Sequence, residues 1–166
     1  MDPKEALLRK VSSSYLFNIF TDAEIERLLG CAQVEAYADG GLIFSQGDQP
    51  DKFYLILYGS VTITQSIPHT KGNALADLGE GETLGEMSFL DRFPRSASAV
   101  AKGNAQLLAF EFAAFDDLIA GDKDLAVKWF WLFGRALAER LREANERIKQ
   151  LIEERVDAHP SGLPMA

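Results

Sequence analysis

The stretch from Leu84 to Val100 reads LGEMSFLDRFPRSASAV, and the rest of the chain is arranged to hold it. Gly85 followed by Glu86 predicts a short helix whose first backbone N–H groups are unpaired and available to an anion. A proline, Arg95 and Ser96 come next, and the fixed proline delivers a guanidinium and a hydroxyl at the start of a β-like run. A ligand satisfying all these groups would carry one anionic group, together with a sugar-like hydroxyl that donates to Glu86.

Short apolar runs with a period of two make up most of the chain around this stretch. Glycines separate them, and no segment long enough for a crossover helix lies between them before Gly85. This pattern favours a two-layer antiparallel β-roll over a βαβ sheet, with Gly59 in a turn between two strands. The predicted strands are Val34–Ala38, Leu42–Phe44, Phe53–Tyr58, Val61–Ile67, Leu75–Leu78, Ala97–Ala101 and Leu107–Phe112.

Helical patterns lie on both sides of the roll, which gives an α+β fold class. At the N-terminal side, helices are predicted from Pro3 to Val11 and, after a capping box of Thr21 and Glu24, from about Asp22 to Cys31. At the other end, a short helix, Ala114–Ile119, precedes a long one from about Asp124 to Val156. The long helix carries a heptad seam that predicts a parallel two-fold homodimer, made of Phe130, Gly134, Leu137, Leu141, Ala144, Ile148 and Leu151.

The opening stretch resembles the phosphate-binding cassette of the cyclic nucleotide-binding domain family, which runs Gly-Glu, a one-turn helix, then Pro-Arg and small residues. The likeness is to a sensor domain of the catabolite activator protein type and covers roughly residues 15 to 145. A second pattern supports it with the family's roll spacing, at Gly41, Ile43, Gly47, Asp51, Tyr54, Ile56, Gly59 and Val61.

The resemblance implies a role for each residue of the cassette. Glu86 would accept the ribose 2′-hydroxyl, and Arg95 would bind the cyclic phosphate. Ser96 and the amides of Gly85, Ser96 and Ala97 would complete the phosphate site, with Met87 in the same set. The alternative for Arg95 is a surface ion pair with Asp91 or Glu86, and the alternative for Glu86 is a charge that satisfies the helix dipole.

The purine has to be covered from the long helix, because the cassette grips only sugar and phosphate. By position along that helix the candidates are Arg140, Leu141 and Asn145, each of which could instead belong to the dimer seam or to a solvated face. At least one of Trp129 and Trp131 is expected to pack in the core against the roll.

These assignments divide the chain into four parts. They are an N-terminal helical segment at residues 1–32, the β-roll at 33–112 with its cassette at 84–100, the C-terminal helices at 113–156, and a tail at 157–166.

Composition excludes several other classes of function. The chain has 166 residues and is 47% hydrophobic. Its formal charge of −8 disfavours nucleic acid as a partner.

Cysteine and apolar content narrow the classes further. The lone Cys31 excludes an intrachain disulfide and fits the cytoplasm, and no apolar run is long enough to span a membrane. His69 and His159 are isolated, and no nucleophile has a partnered base, so we expect no metal, no cofactor beyond the ligand, and no enzyme activity.

The sequence-based hypothesis is therefore a stand-alone sensor of a cyclic mononucleotide, cyclic AMP more than cyclic GMP. Too few residues follow the long helix for a helix-turn-helix, so output would pass to an unknown protein effector unless the chain is a segment of something longer. Three alternatives stay open: a degenerate roll that only dimerises, a cyclic di-GMP sensor, and a cupin-like enzyme, although clustered histidines are missing for the last. A dinucleotide fingerprint at Gly79–Gly85 is rejected because GxGxxxG is one residue too long and lacks a βαβ context.

Overall fold

The structure of the protein is a computed structural model that describes residues 3–14, 17–66, 68 and 73–157. The chain divides into two compact units, Met1–Phe130 and Trp131–Ala166. The strands that the structure describes belong to the first unit, and the described part of the second is helical. In chain order the elements are α1 (Pro3–Ser12), α2 (Asp22–Gly30), β1 (Ala32–Tyr37), β2 (Leu42–Phe44), β3 (Lys52–Gln65), β4 (Asn73–Leu78), β5 (Thr83–Leu84), α3 (Glu86–Asp91), β6 (Ser98–Glu111), α4 (Phe112–Gly121) and α5 (Lys123–Asp157).

The described strands form one six-stranded sheet. Its order is β1-β6-β3-β4, with β2 also paired to β6 and β5 also paired to β3. Each of these pairings is antiparallel. The predicted α+β class with an antiparallel β-roll and a long C-terminal helix is confirmed.

Two pairs of predicted strands turn out to be single strands of 14 residues, β3 and β6. Gly59 has the expected positive φ, 82°, but it lies at a register shift of β3 against β6 and not in a turn. A Cβ on Gly59 would overlap the carbonyl oxygen of Asn104 on β6, so only glycine allows the strands to pass this closely. The turn predicted at Gly59 was wrong, because a bulge within a strand requires a glycine with positive φ just as a turn does.

The helices begin and end close to their predicted limits. The long helix is extended by one residue at each end, and the short helix before it begins two residues early, at Phe112. Strand β5 was missed because two residues are too few to display a period.

An aromatic cluster on one face of the sheet forms the core. Trp129 is fully buried, and its ring centroid lies 5.8 Å from that of Phe53, 5.6 Å from that of Phe110 and 5.1 Å from that of Phe115. These separations are typical of favourable aromatic contacts. The expectation of at least one core tryptophan is thus confirmed by Trp129, whereas Trp131 is 51% exposed.

The opposite faces of β3 and β6 line the interior of the roll, because successive side chains of a strand alternate between faces. Tyr54 and Ile56 of β3 pack there with Leu107 and Ala109 of β6. The other members of this interior cluster are Val61, Leu78, Leu84 and Ala99, with Tyr37, Ile43, Phe44, Ile63 and Ala76 packed against them.

The capping box of α2 is present, and its glutamate also contacts α5. Thr21 accepts from the backbone N–H of Glu24, and the Glu24 carboxylate accepts from the Thr21 amide at 2.7 Å. The same carboxylate accepts from Lys128 Nζ at 2.7 Å. Burial alone would raise the pKa of Glu24, but the bonds from Lys128 and Thr21 outweigh it and hold that pKa below its ordinary value of 4.5.

This network makes stability depend on acidity. Because the folded-state pKa of Glu24 is depressed, its contribution is present above pH 4.5 and is lost as the pH falls through the folded pKa. Glu24→Gln should lower the free energy of unfolding at pH 7 by about 1–3 kcal/mol and flatten its decline in acid. Urea unfolding at a series of pH values measures both effects. Glu26→Gln, on the exposed side of α2, is the matched control, and equal acid slopes in the two variants would contradict this account.

Candidate functional site

Gly85 brings the backbone at the start of α3 against a guanidinium. Its φ is 82° and its ψ is 4°, a left-handed conformation that L side chains rarely adopt. A Cβ built on Gly85 would lie 2.6 Å from Nη1 of Arg95 and 3.3 Å from the carbonyl oxygen of Lys52. Both the conformation and the space therefore require glycine here.

Arg95 is 4% exposed, so its charge lies inside the roll and not on the surface. Nη2 donates to the carbonyl oxygen of Lys52 at 2.5 Å. The backbone N–H of Arg95 donates to the carbonyl of Asp48 at 2.9 Å, and its own carbonyl accepts from the N–H of Gly47 at 2.8 Å. The loop after β2 thus fixes the main chain of Arg95, and β3 fixes one end of its side chain.

Two nitrogens of the guanidinium, Nε and Nη1, are buried and have no hydrogen-bond acceptor among the residues that the structure describes. Burial lowers the pKa of Arg95, while Tyr54 and the carboxylates of Asp51, Asp48 and Glu86 act in the opposite direction. Arginine stays protonated in proteins, so these nitrogens carry charged N–H donors in a region of low dielectric. An anionic oxygen is the acceptor that would satisfy them best.

One aromatic ring, that of Phe44, covers one side of this guanidinium. Its central carbon, Cζ, lies 4.2 Å from the ring centroid of Phe44, and the Phe44 ring stacks on Tyr54 with centroids 6.1 Å apart. The sequence identified Phe44 only as the last residue of a short strand. The sequence around Phe44 gave no signal of a contact with Arg95, because that contact joins β2 to the distant segment before β6.

The remaining cassette residues differ in exposure. Glu86 is 1% exposed and Ala97 is 8% exposed, so both residues are buried. Met87 is 49% exposed on α3, and Ser96 is exposed, with its carbonyl accepting from Gln65 Nε2 at 3.3 Å. The surface ion pair considered for Arg95 does not describe it, because the side chain is buried.

Polar bonds hold the loop after β2 to the segment that follows Arg95. The N–H of Gln46 donates to Oγ of Ser98 at 2.8 Å, and Oε1 of Gln46 accepts from the N–H of Ser66 at 2.9 Å. No individual role was predicted from the sequence for Gln46 or Ser66. The two bonds join the loop after β2 to the start of β6 and to the residue after β3, and so support the segment on either side of Ser96.

A cleft of about 250 Å³ opens elsewhere in the first unit, and Arg95 does not line it. Its charged members include Glu35 and Lys52, which pair at 2.8 Å, and Glu35 also accepts from the Tyr37 hydroxyl at 2.6 Å. Burial would raise the pKa of Glu35, but Lys52 and Tyr37 outweigh it and lower that pKa. Since these charges already satisfy each other, the unsatisfied donors of Arg95 locate the candidate site better than the cleft does.

The helix residues predicted to cover a base lie in the second unit, on α5. Arg140 is half-buried, Leu141 is 63% exposed, and Asn145 is exposed. The cassette residues belong to the first unit. That Arg140, Leu141 and Asn145 cover the base stays a prediction.

Within the described ranges no group of three or more His, Cys, Asp or Glu side chains is placed to hold a metal ion. Across the same part of the chain, no helix combines the length and the apolar character needed to cross a bilayer. His69 and His159 lie outside the described residues.

Comparison with known proteins agrees with this geometry. The family model of the cyclic nucleotide-binding domain matches residues 34–122. The chain is 37% identical over 135 residues to the cyclic AMP receptor protein of Thermus thermophilus, a match covering 81% of this chain and 61% of that protein. A CRP-like cAMP-activated global transcriptional regulator of Mycobacterium tuberculosis is 29% identical over 113 residues, covering 68% of this chain and 49% of the regulator.

The fold is similar to the solved structure of a cyclic nucleotide-binding domain from Methylobacillus flagellatus, with a TM-score of 0.78. The two chains are 31% identical, and the match covers 89% of this chain and 83% of the other. The chain therefore covers most of that solved structure, but only 61% and 49% of the length of the two curated relatives. The family model matches more than half of the chain and includes both the Gly85 turn and Arg95. The chain belongs to the cyclic nucleotide-binding domain family.

Proposed function

We propose that this chain is a non-catalytic sensor that binds a cyclic mononucleotide at the cassette, with cyclic AMP preferred over cyclic GMP. The observation that carries the proposal is the buried guanidinium of Arg95, whose Nε and Nη1 have no acceptor among the described residues. The cyclic phosphate supplies the anionic oxygens for these donors. The preference for cyclic AMP rests on the names of the Thermus and Mycobacterium relatives, because a hydroxyl at Ser96 does not select the base.

Each cassette residue has a part in this proposal. Arg95 takes the phosphate, helped by the Ser96 hydroxyl and by the backbone amides of Gly85, Ser96 and Ala97. Glu86 accepts from the ribose 2′-hydroxyl, and its 1% exposure places the carboxylate in the desolvated surroundings where such a bond is strong. Met87 at 49% exposure is the least supported member of the set.

The sensor is proposed to work as a parallel homodimer through the heptad seam of α5, with output to a protein effector. In the second unit the seam residues Leu141, Ile148 and Leu151 are 63%, 55% and 59% exposed. Large apolar side chains repeated at heptad spacing are typical of a helix that pairs with a second helix.

Removal of the Arg95 charge should abolish tight binding. Arg95→Ala would leave the buried phosphate unpaired, which costs about 3–5 kcal/mol, or roughly 10²- to 4 × 10³-fold in affinity for cyclic AMP. Isothermal titration calorimetry measures the loss, with cyclic GMP and cyclic di-GMP titrated in parallel. Arg9→Ala removes an exposed arginine of α1 and should bind like the wild type. Failure of the wild type to bind any of the three nucleotides would favour the dimerising module without a ligand.

Gly85 and Gly40 form a matched pair for the backbone requirement. Both have positive φ, 82° and 75°, so either change to alanine carries a similar conformational cost of about 1–2 kcal/mol. Only at Gly85 does the added Cβ meet Arg95, whereas nothing lies within 4 Å of it at Gly40. Gly85→Ala should therefore weaken cyclic AMP binding by at least about tenfold beyond Gly40→Ala. Urea unfolding measures the stability that each variant loses, and equal affinities would contradict the steric argument.

A charge in the seam should dissociate the dimer. Leu141→Glu would place like charges opposite each other in a two-fold interface, at a cost that outweighs one apolar contact. Sedimentation equilibrium should give twice the chain mass of 18.3 kDa for the wild type and 18.3 kDa for the variant. Val156→Glu alters an equally exposed side chain outside the seam and should stay dimeric. A monomeric wild type would disprove this part of the proposal.

A further inference from the structure

The Phe44 ring lies against the guanidinium that the proposed function uses. Phe44 ends β2 and pairs with Ala99 of β6, four residues after Arg95 in sequence. Cζ of Arg95 lies 4.2 Å from the ring centroid, within the range in which a cation is attracted to an aromatic face.

A second ring holds Phe44 in place. Tyr54 is 4% exposed, and its ring stacks on that of Phe44 with a centroid separation of 6.1 Å and an interplanar angle of 27°. Tyr54 belongs to β3, two residues after Lys52, whose carbonyl accepts from Arg95. The ring and the carbonyl that contact the guanidinium are therefore supported by the same strand.

The three contacts restrict the guanidinium in different directions. The carbonyl of Lys52 accepts from Nη2, and Nη1 lies so near Gly85 that a Cβ there would be only 2.6 Å from it. The ring of Phe44 covers one face. Because all five N–H bonds of a guanidinium lie in one plane, a ring that fixes the plane also fixes the directions in which Nε and Nη1 donate.

We infer that Phe44 is a positioning residue: its ring sets the plane of the Arg95 guanidinium so that Nε and Nη1 donate toward an anionic phosphate oxygen. This inference rests on the proposed function and names a residue that determines its strength. Phe44 affects the ligand only through Arg95, whereas the other apolar residues of the interior cluster contribute by packing. The opposite possibility is that the ring occupies space needed by the ligand, in which case its removal would strengthen binding.

The experiment compares two substitutions of the ring by calorimetry with cyclic AMP. Phe44→Leu keeps an apolar side chain but removes the aromatic face, and it should weaken binding about tenfold. Phe44→Tyr keeps the face and should bind within about twofold of the wild type. Ile43→Ala is the packing control, because Ile43 neighbours Phe44 on β2 and packs against the same interior cluster. A similar affinity loss in Ile43→Ala and Phe44→Leu would reduce Phe44 to a packing residue and overturn the inference.

A double-mutant cycle tests whether Phe44 acts through Arg95. Lysine has no planar group to orient, so Phe44→Leu should cost nothing further when added to Arg95→Lys. Additive losses, or tighter binding by Phe44→Leu, would overturn the inference.

A readout in the free protein separates this inference from the proposed function. The Nε–H proton of Arg95, identified in ¹H–¹⁵N spectra by its loss in Arg95→Lys, should be shielded by the ring current of Phe44. Phe44→Leu should abolish that shielding and Phe44→Tyr should retain it. A shielded proton in a protein that binds no cyclic nucleotide would contradict the proposed function alone, whereas binding without shielding would contradict the inference alone.

Discussion

A positive charge buried inside an antiparallel roll is the constraint on which the rest of this structure depends. Arg95 is 4% exposed, and desolvation of an arginine costs several kcal/mol unless its donors are satisfied. The chain offsets part of this cost with one carbonyl, from Lys52, and with the face of one ring, from Phe44. In the proposed function, the anionic phosphate satisfies the two remaining donors, Nε and Nη1. The stability of the roll and the chemistry of the site are thus set by the same side chain.

This constraint explains how an acidic chain can bind an anion. The formal charge of −8 works against capture at long range, so attraction has to come from within the site. Asp48 and Asp51 favour the charged form of Arg95, while the Asp48 carbonyl holds its backbone N–H. Because interactions are stronger in a low-dielectric interior than at a hydrated surface, one well-oriented guanidinium can outweigh a distant unfavourable field.

The support for this side chain is built into long, continuous strands. Strand β3 carries Tyr54 on the interior face and the Lys52 carbonyl that accepts from Arg95, and it pairs with β6 from its first residue almost to its last. The bulge at Gly59 bends this pair without breaking it. Side chains held by β3 and β6 keep their geometry, because a movement of either strand would disturb the aromatic core around Trp129 on the opposite face.

By itself the sequence determined the fold class, the helices and the central residues of the candidate site. Period and glycine spacing are local signals, and Gly85, Glu86 and Arg95 lie within one short stretch, so their order alone predicts a cassette. Only the tertiary structure decided that β3 and β6 are continuous, since a positive-φ glycine serves a bulge as well as a turn. It alone also decided that Phe44 and Lys52 hold Arg95. Those contacts join residues 51 and 43 positions apart, and no local pattern encodes a contact that depends on how distant strands pair.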